Sequence, residues 1–340
     1  MRPTIFAITI VPITYLNQPE DLTMDQLAQI VSRVLPIFIL IGLGSWIRRT
    51  DFLPEATIED LKKMTVNLAL PAVLFVSFLN TELKVAYLAI FALTFLVCVA
   101  LLWLGRFLKN RRQLPHPYFP FLMTGFEYGM LGISLFGSVY GLENIGYIAV
   151  MDLGHEIFIW FVFLAFLLKE REGIQSSSQL FKAFFKSPVI IGILLGIILN
   201  IIGLQQFLYD FPLTGAIMAT LQYLGNLTIP LILIIIGYGL KLDRSGVKEA
   251  LPVVLLRLVM LLPLALLVNT VLIRGWLQLG QPFETALFTL FILPPPFIIP
   301  LYVRSELAAE KQYINNVLTL YTLVSIVIFT IYLALNPWGL

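Results

Sequence analysis

Charge is what this sequence carries least of. Asp, Glu, Lys and Arg make up only 12% of its 340 residues, about half the share of a soluble domain. So few charges cannot cover a surface facing water on all sides, which excludes the soluble globular class. Cysteine is single (Cys98), so no disulfide forms within the chain, and histidine occurs only at 116 and 155. The pair His155-Glu156 begins an HExxH-like string, but Ile159 stands where the second histidine must be, and zinc-peptidase chemistry fails. GxSxG, Walker A and dinucleotide fingerprints are missing as well. The expectation is no enzyme, no cofactor, no bound metal and no ATP-driven step. A net charge of +2 with no basic stripe leaves no nucleic acid partner.

What is there is apolar. Hydrophobic residues form 59% of the chain and the mean hydropathy is +0.91. Apolar runs of about 20 residues, the length that crosses a bilayer, recur from near residue 26 to the C-terminus. The chain reads as an all-α polytopic membrane protein. Spans are expected near 27–47, 62–80, 85–107, 118–140, 145–168, 188–207, 213–240, 249–273, 284–304 and 315–336. Only Arg2, Arg33, Lys84, Arg257 and Arg274 lie outside the loops that follow the odd-numbered spans. By the positive-inside rule those loops are cytoplasmic, so both termini lie outside the cell membrane. Residues 1–25 are too short and too interrupted to span, and are expected as a peripheral extension rather than a cleaved signal. Within the linker 169–187, Phe181, Phe184 and Phe185 share a face beside lysines, which predicts an interfacial helix.

Two motifs recur in order. Asn67-Leu-Ala-Leu-Pro71 in span two matches Asn226-Leu-Thr-Ile-Pro230 in span seven, and Ile133-Ser-Leu-Phe in span four matches Ile299-Pro-Leu-Tyr in span nine. Five spans per copy is odd, so the second copy must be inverted. The chain therefore divides into 26–168 and 188–340, two five-helix inverted repeats. The paired spans four and nine are both interrupted, one by Gly125-Phe-Glu-Tyr-Gly-Met-Leu-Gly132, the other by Leu293-Pro-Pro-Pro-Phe-Ile-Ile-Pro300. At 1.5 Å per residue, Pro295 and Gly129 each lie roughly 16 Å into their spans, near the midplane of a ~30 Å core. Breaks are expected at Gly129–Gly132 and Pro294–Pro296, exposing amides and dipole ends to a shared cavity. The plainer alternative is a pair of kinked packing helices.

These residues resemble the auxin efflux carrier family, the bacterial relatives of the plant PIN-formed carriers. The likeness rests on NLALPAVLF at 67–75, EYGMLGIS at 127–134, the following YGLENIGYI, and NLTIPLILIIIGYGLKL at 226–242, and runs through nearly all of the chain after residue 25. It implies the sodium/proton antiporter-like fold of ten helices, with spans four and nine crossing at the site, and small organic anions such as auxin or dicarboxylates as substrates. The family pattern Asn-x-Gly-x-x-Gly-x-Pro is met here by Gly129 and Gly132, but its ends are Glu127 and Ser134.

Ionisable groups at membrane depth are costly and call for a reason. Asp152, His155 and Glu156 share one helical face of span five, and with Glu127 they would titrate as a coupled set. Proton coupling is one reading of that set; a hydrogen-bonded packing network is the other. Arg257, about 10 Å into span eight, either binds an anion, pairs with an acid or snorkels. Asn67 and Asn226 are either polar ligands or caps of kinked turns. The candidate substrate site is thus Asn67, Glu127, Gly129, Gly132, Ser134, Asn226, Arg257, Pro295 and Pro296, and the candidate proton relay Glu127, Asp152, His155 and Glu156. The leading expectation is secondary active transport of a small organic anion, coupled to protons. A cation/proton antiporter taking Na+ or H+ on the acids, and a sensor that transports nothing, are the alternatives. Expected partners are the anion, protons or Na+, the lipid bilayer and a second copy of the chain in a homodimer.

Overall fold

Pro71 shows how the sequence shapes its helices. It offers no N–H to the turn before it, and the helix Glu55–Asn80 widens there into a π turn over Thr65–Ala69, where the Leu70 amide reaches back to Thr65 O. A computed structural model describes residues 24–110, 116–172, 182, 184–241, 244–303 and 307–336. All regular structure among them is helical. Residues 1–23 of the expected N-terminal extension 1–25, and Phe181 of the expected interfacial helix, lie outside the described residues. Phe184 is helical and packs edge-on against Trp160 at 6.0 Å.

We number the principal helices α1 (Met24–Arg49), α2 (Glu55–Asn80), α3 (Ala86–Asn110), α4 (Phe119–Leu122), α5 (Tyr128–Tyr140), α6 (Ile145–Phe158, continuing to Glu172), α7 (Pro188–Ile202), α8 (Gln205–Asp210), α9 (Pro212–Asn226), α10 (Thr228–Gly239), α11 (Arg244–Trp276), α12 (Gln281–Ile292) and α13 (Ala308–Leu335). Among the described residues, seven helices are long and apolar enough to cross a membrane, with α9 and α10 counting together as one. The other three expected spans hold shorter helices. α7 has 15 residues, 118–140 is split into α4 and α5, and 284–304 into α12 and a 3-10 turn at Ile299–Tyr302.

Packing sorts these helices into two groups. α1 lies against α10, and the second half of α2 against α7 and α9; α3 packs on α6, α11 on α13, and α12 on both α6 and α11. Small residues let backbones meet closely, since a methyl at Gly44 would lie 2.0 Å from Ile234 O and one at Gly237 2.0 Å from Ile41 O. The lipid-side faces of α1, α3 and α7 carry exposed Ile39, Trp103 and Ile201, as a helix bathed in hydrocarbon requires. At one end of the bundle His116 pairs with Glu310 and meets the tilted ring of Tyr313 at 4.1 Å. Burial pushes the His116 pKa below its ordinary value against the pull of Glu310.

Candidate functional site

A helix broken inside an apolar bundle leaves amides and carbonyls that water cannot reach, and each must find a protein partner. Following those groups defines the site. Between α4 and α5 the chain leaves helical geometry at Gly125, whose φ of +72° is a left-handed value that side chains disfavour. Between α12 and the 3-10 turn, Leu293 is extended (φ −67°, ψ 149°) and three prolines follow. Each break leans on the other, because the Glu127 amide donates to Pro294 O at 2.8 Å.

The expected break at Gly129–Gly132 needs correction. Those glycines belong to a π-helical first turn of α5, and Gly132 is helical at φ −60°, ψ −51°. The chain breaks a turn earlier because only Gly125 there adopts positive φ. The expected break at Pro294–Pro296 lies within the non-helical stretch after α12.

The carboxylate of Glu127 joins the two interrupted helices. Its Oε1 accepts from the Met130 amide in the first turn of α5 at 3.1 Å, and its Oε2 accepts from the Phe297 amide beyond the prolines at 2.6 Å. The residue is 9% exposed. Amides at a helix start carry partial positive charge and favour an anion, and Glu127 supplies one from within the chain. Arg257, 0% exposed, serves the opposite ends. Its Nη1 donates to Leu122 O at 3.3 Å, and its Nη2 to Gly125 O and, at 3.4 Å, to Leu293 O. These are carbonyls at the ends of α4 and α12, where a cation is favoured. The guanidinium also lies 5.2 Å from the Phe126 ring. Ser325 completes the set by donating to Ile292 O at 2.6 Å.

The pair Asp152 and His155 belongs to the same construction. The Phe126 amide, orphaned by the break, donates to His155 Nε2 at 2.9 Å. With Nε2 accepting, the ring proton resides on Nδ1, which faces Asp152 Oδ1 at 2.7 Å. The geometry is a satisfied relay of amide, imidazole and carboxylate, with both side chains at least 95% buried. Glu156 is directed elsewhere, accepting from Trp160 Nε1 at 3.0 Å. Among the described residues no three such side chains are arranged to hold a metal ion.

The remaining candidates divide. Ser134 is fully buried with its Oγ unpartnered, as are the Thr124 and Tyr128 hydroxyls; three buried hydroxyls without partners leave spare hydrogen-bonding capacity around the two breaks. Asn67 is exposed and donates to Lys63 O at 2.8 Å, serving the widened turn before Pro71. Asn226 ends α9 and lines a separate cavity. Gly129 lies 3.7 Å from Leu70 as judged by an added methyl, while Gly132 packs against Leu293. Pro295 and Pro296 hold the extended turn, and the Pro296 ring fills the space a side chain at Gly125 would need.

The sequence reading did not pick out Gly125, Phe297 or Ser325 as site residues. Gly125 stood next to the motif and Phe297 inside the proline run, but an amide's role carries no signal in residue type. Ser325 also bonds Tyr321 O four residues back at 2.8 Å, the usual habit of serine in a helix, so nothing marked it. Gly125→Ala is expected to lower the melting temperature by several degrees in a thermal scan. Left-handed φ costs an alanine about 1–2 kcal/mol, and the new methyl would lie 2.8 Å from Pro296 Cγ. An unchanged scan would show that the turn relaxes freely.

The profile of a family described as "Membrane transport protein" matches residues 29–333. A relative from Methanothermobacter thermautotrophicus, described as an "Uncharacterized transporter", is 26% identical over 227 residues, covering 64% of this chain and 70% of the relative.

Proposed function

The chain belongs to the membrane transport protein family, that of the auxin efflux carriers, and from that premise we propose a secondary carrier for a small organic anion, coupled to protons. In this reading ten spans form two inverted five-helix repeats, 26–168 and 188–340, joined by the 169–187 linker. Both termini face outward from the plasma membrane. The substrate binds where spans four and nine are interrupted, and access alternates as the two helix groups rock past each other.

One observation carries the proposal: the Glu127 carboxylate accepts amides from both interrupted helices. An organic carboxylate has the same acceptor chemistry, so the donors are already arranged for it. While Glu127 is ionised and docked, a second anion is excluded by charge and by occupancy. Once Glu127 takes a proton it loses its charge and its claim on two amide donors, and the anion can replace it. Proton and anion then load together. Reversal on the other side releases both, which couples substrate movement to the proton gradient. Arg257 holds the carbonyl ends throughout, and Asp152 with His155 holds the Phe126 amide.

Uptake of labelled indole acids and dicarboxylates into proteoliposomes under an imposed proton gradient tests the reading. Accumulation that collapses with a protonophore is expected; sodium-dependent activity with no organic anion would replace it with the cation antiporter. Replacing Pro295 and Pro296 together by alanine returns two amide donors and lets α12 run on. That would pull Phe297 away from Glu127, and uptake is expected to fall by at least about tenfold, the scale of a misplaced site, with expression preserved. Parental uptake in the double variant would reduce these prolines to packing.

A further inference from the structure

Just before α7, Lys182, Phe184, Phe185 and Lys186 are helical, and their side chains divide between two environments. Phe184 is 6% exposed, whereas Phe185 is 47% exposed and both lysines are exposed. We propose that this segment docks on anionic phospholipid headgroups, and that the contact of Phe184 with Trp160 ties the docking to the two helix breaks. The docking does not depend on the transport reading. The tie to the breaks deepens that reading, because it reaches the Glu127 bridge.

Position and charge select the partner. α6 runs out to Glu172 and the apolar helix α7 starts at Pro188, so a segment against the first turn of α7 lies where hydrocarbon meets headgroups. A ring exposed there rests against the ends of acyl chains, while lysine stems carry their ammonium groups out to the phosphates. Lys182 and Lys186 are four residues apart and share a helical face. Neither pairs with a carboxylate among the described residues. Two open cations on one face favour a headgroup with net negative charge over one whose choline cancels its phosphate. Each lysine near an anionic surface is worth roughly fivefold in affinity. A soluble acidic partner would answer the lysines but not the exposed ring of Phe185.

On its buried side the segment reaches the site. The Phe184 ring lies 6.0 Å from that of Trp160 and 5.0 Å from that of Phe161. Both belong to the π turn Ile159–Phe163 of α6, a widened turn of a kind frequent at functional sites. Ile159 begins this turn and faces the first break, since a methyl on Gly125 would lie 3.0 Å from Ile159 Cδ1. Trp160 packs on Leu164 and Leu168, and so do Ile298 and Tyr302 from beyond the second break. Ile298 follows Phe297, whose amide is one of the two donors to Glu127. One π turn thus touches both breaks, and Phe184 is the hold of the linker on it. Headgroups that fix the lysine face hold Phe184 in place and steady the Phe297 donor.

The docking is tested on the purified full chain in dodecyl maltoside, melted with increasing dihexanoyl-phosphatidylglycerol, dihexanoyl-phosphatidylcholine or glycerol 3-phosphate. Phosphatidylglycerol is expected to raise the melting temperature by several degrees. Phosphatidylcholine is expected to act at least about tenfold more weakly, and glycerol 3-phosphate, which has no acyl chain, to do nothing. Lys182→Gln with Lys186→Gln should weaken phosphatidylglycerol at least about tenfold. Lys248→Gln with Lys311→Gln removes the same charge from exposed positions elsewhere and should leave its effect at the parental level. An equal response to phosphatidylcholine or glycerol 3-phosphate, no response to phosphatidylglycerol, a parental Lys182/Lys186 variant, or an equal loss in the Lys248/Lys311 variant overturns the docking. The tie to the breaks is read by hydrogen exchange in nanodiscs. Amides of 297–303 are expected to exchange severalfold more slowly in phosphatidylglycerol than in phosphatidylcholine. Both the Lys182/Lys186 variant and Phe184→Ala should abolish that difference. Equal exchange in the two lipids, or a difference that survives in either variant, overturns the tie. Neither readout needs transport, so failure of uptake leaves this surface standing, and failure here leaves the anion carrier standing.

Discussion

Glu127→Gln is expected to fold, to bind substrate, and to lose all accumulation against a gradient. Glutamine keeps the shape of the acid but has one acceptor oxygen in place of two. It can hold the Met130 amide or the Phe297 amide, not both. The lost bond should cost roughly 1–3 kcal/mol, which a protein of ordinary stability survives. The permanent loss of charge is the larger effect. An anion no longer competes with a resident carboxylate, so binding should persist and its pH dependence should flatten. With no proton to carry, the variant should equilibrate substrate without concentrating it. Counterflow and net uptake, measured in the same proteoliposomes, separate the two outcomes. A Glu127→Gln protein that concentrates substrate with the parent's pH profile would make the carboxylate a helix cap and nothing more. Glu156→Gln is the control, since Glu156 bonds Trp160 rather than either break.

Arg257→Met should lose much of its stability and melt well below the parent. The guanidinium is wholly buried and donates to three carbonyls from two interrupted helices. Methionine fills much of the volume and satisfies none of them. Each orphaned carbonyl costs roughly 1–3 kcal/mol, so the total, about 3–5 kcal/mol after relaxation, consumes much of a typical margin of 5–15 kcal/mol. Lysine keeps the charge but not the planar fork, and should reach one carbonyl rather than three. Arg257→Lys is therefore expected between the parent and methionine in melting temperature and in yield of monodisperse protein. A methionine variant that melts with the parent would show that the carbonyls find other donors.

How much of this was legible beforehand varies with the kind of interaction. Hydrophobic run length located the seven long helices, because crossing hydrocarbon demands about 20 apolar residues whatever the fold. The broken spans were legible too, since Pro294, Pro295 and Pro296 remove donors wherever they stand. Gly129 and Gly132 misled by one turn. A glycine shows only that a left-handed residue is permitted there, and the packing of Pro296 against Gly125 decides which glycine takes that conformation. Arg257 was ambiguous among anion ligand, ion pair and snorkelling cation, because a long flexible side chain can point several ways from one backbone position.

From the sequence by itself follow the membrane class, the family likeness, the interrupted segments near 125 and 295, and the ionisable residues that membrane depth makes conspicuous. These are local or compositional properties, written in each residue's own side chain. Only the tertiary structure decided that Glu127 caps Phe297, that His155 takes the Phe126 amide, and that Arg257 and Ser325 take the carbonyls of α4 and α12. Every residue but proline carries the same backbone donor and acceptor, so the sequence does not say which of them will be orphaned. That depends on where two distant breaks meet, and on which side chains the surrounding helices bring within about 3 Å of them.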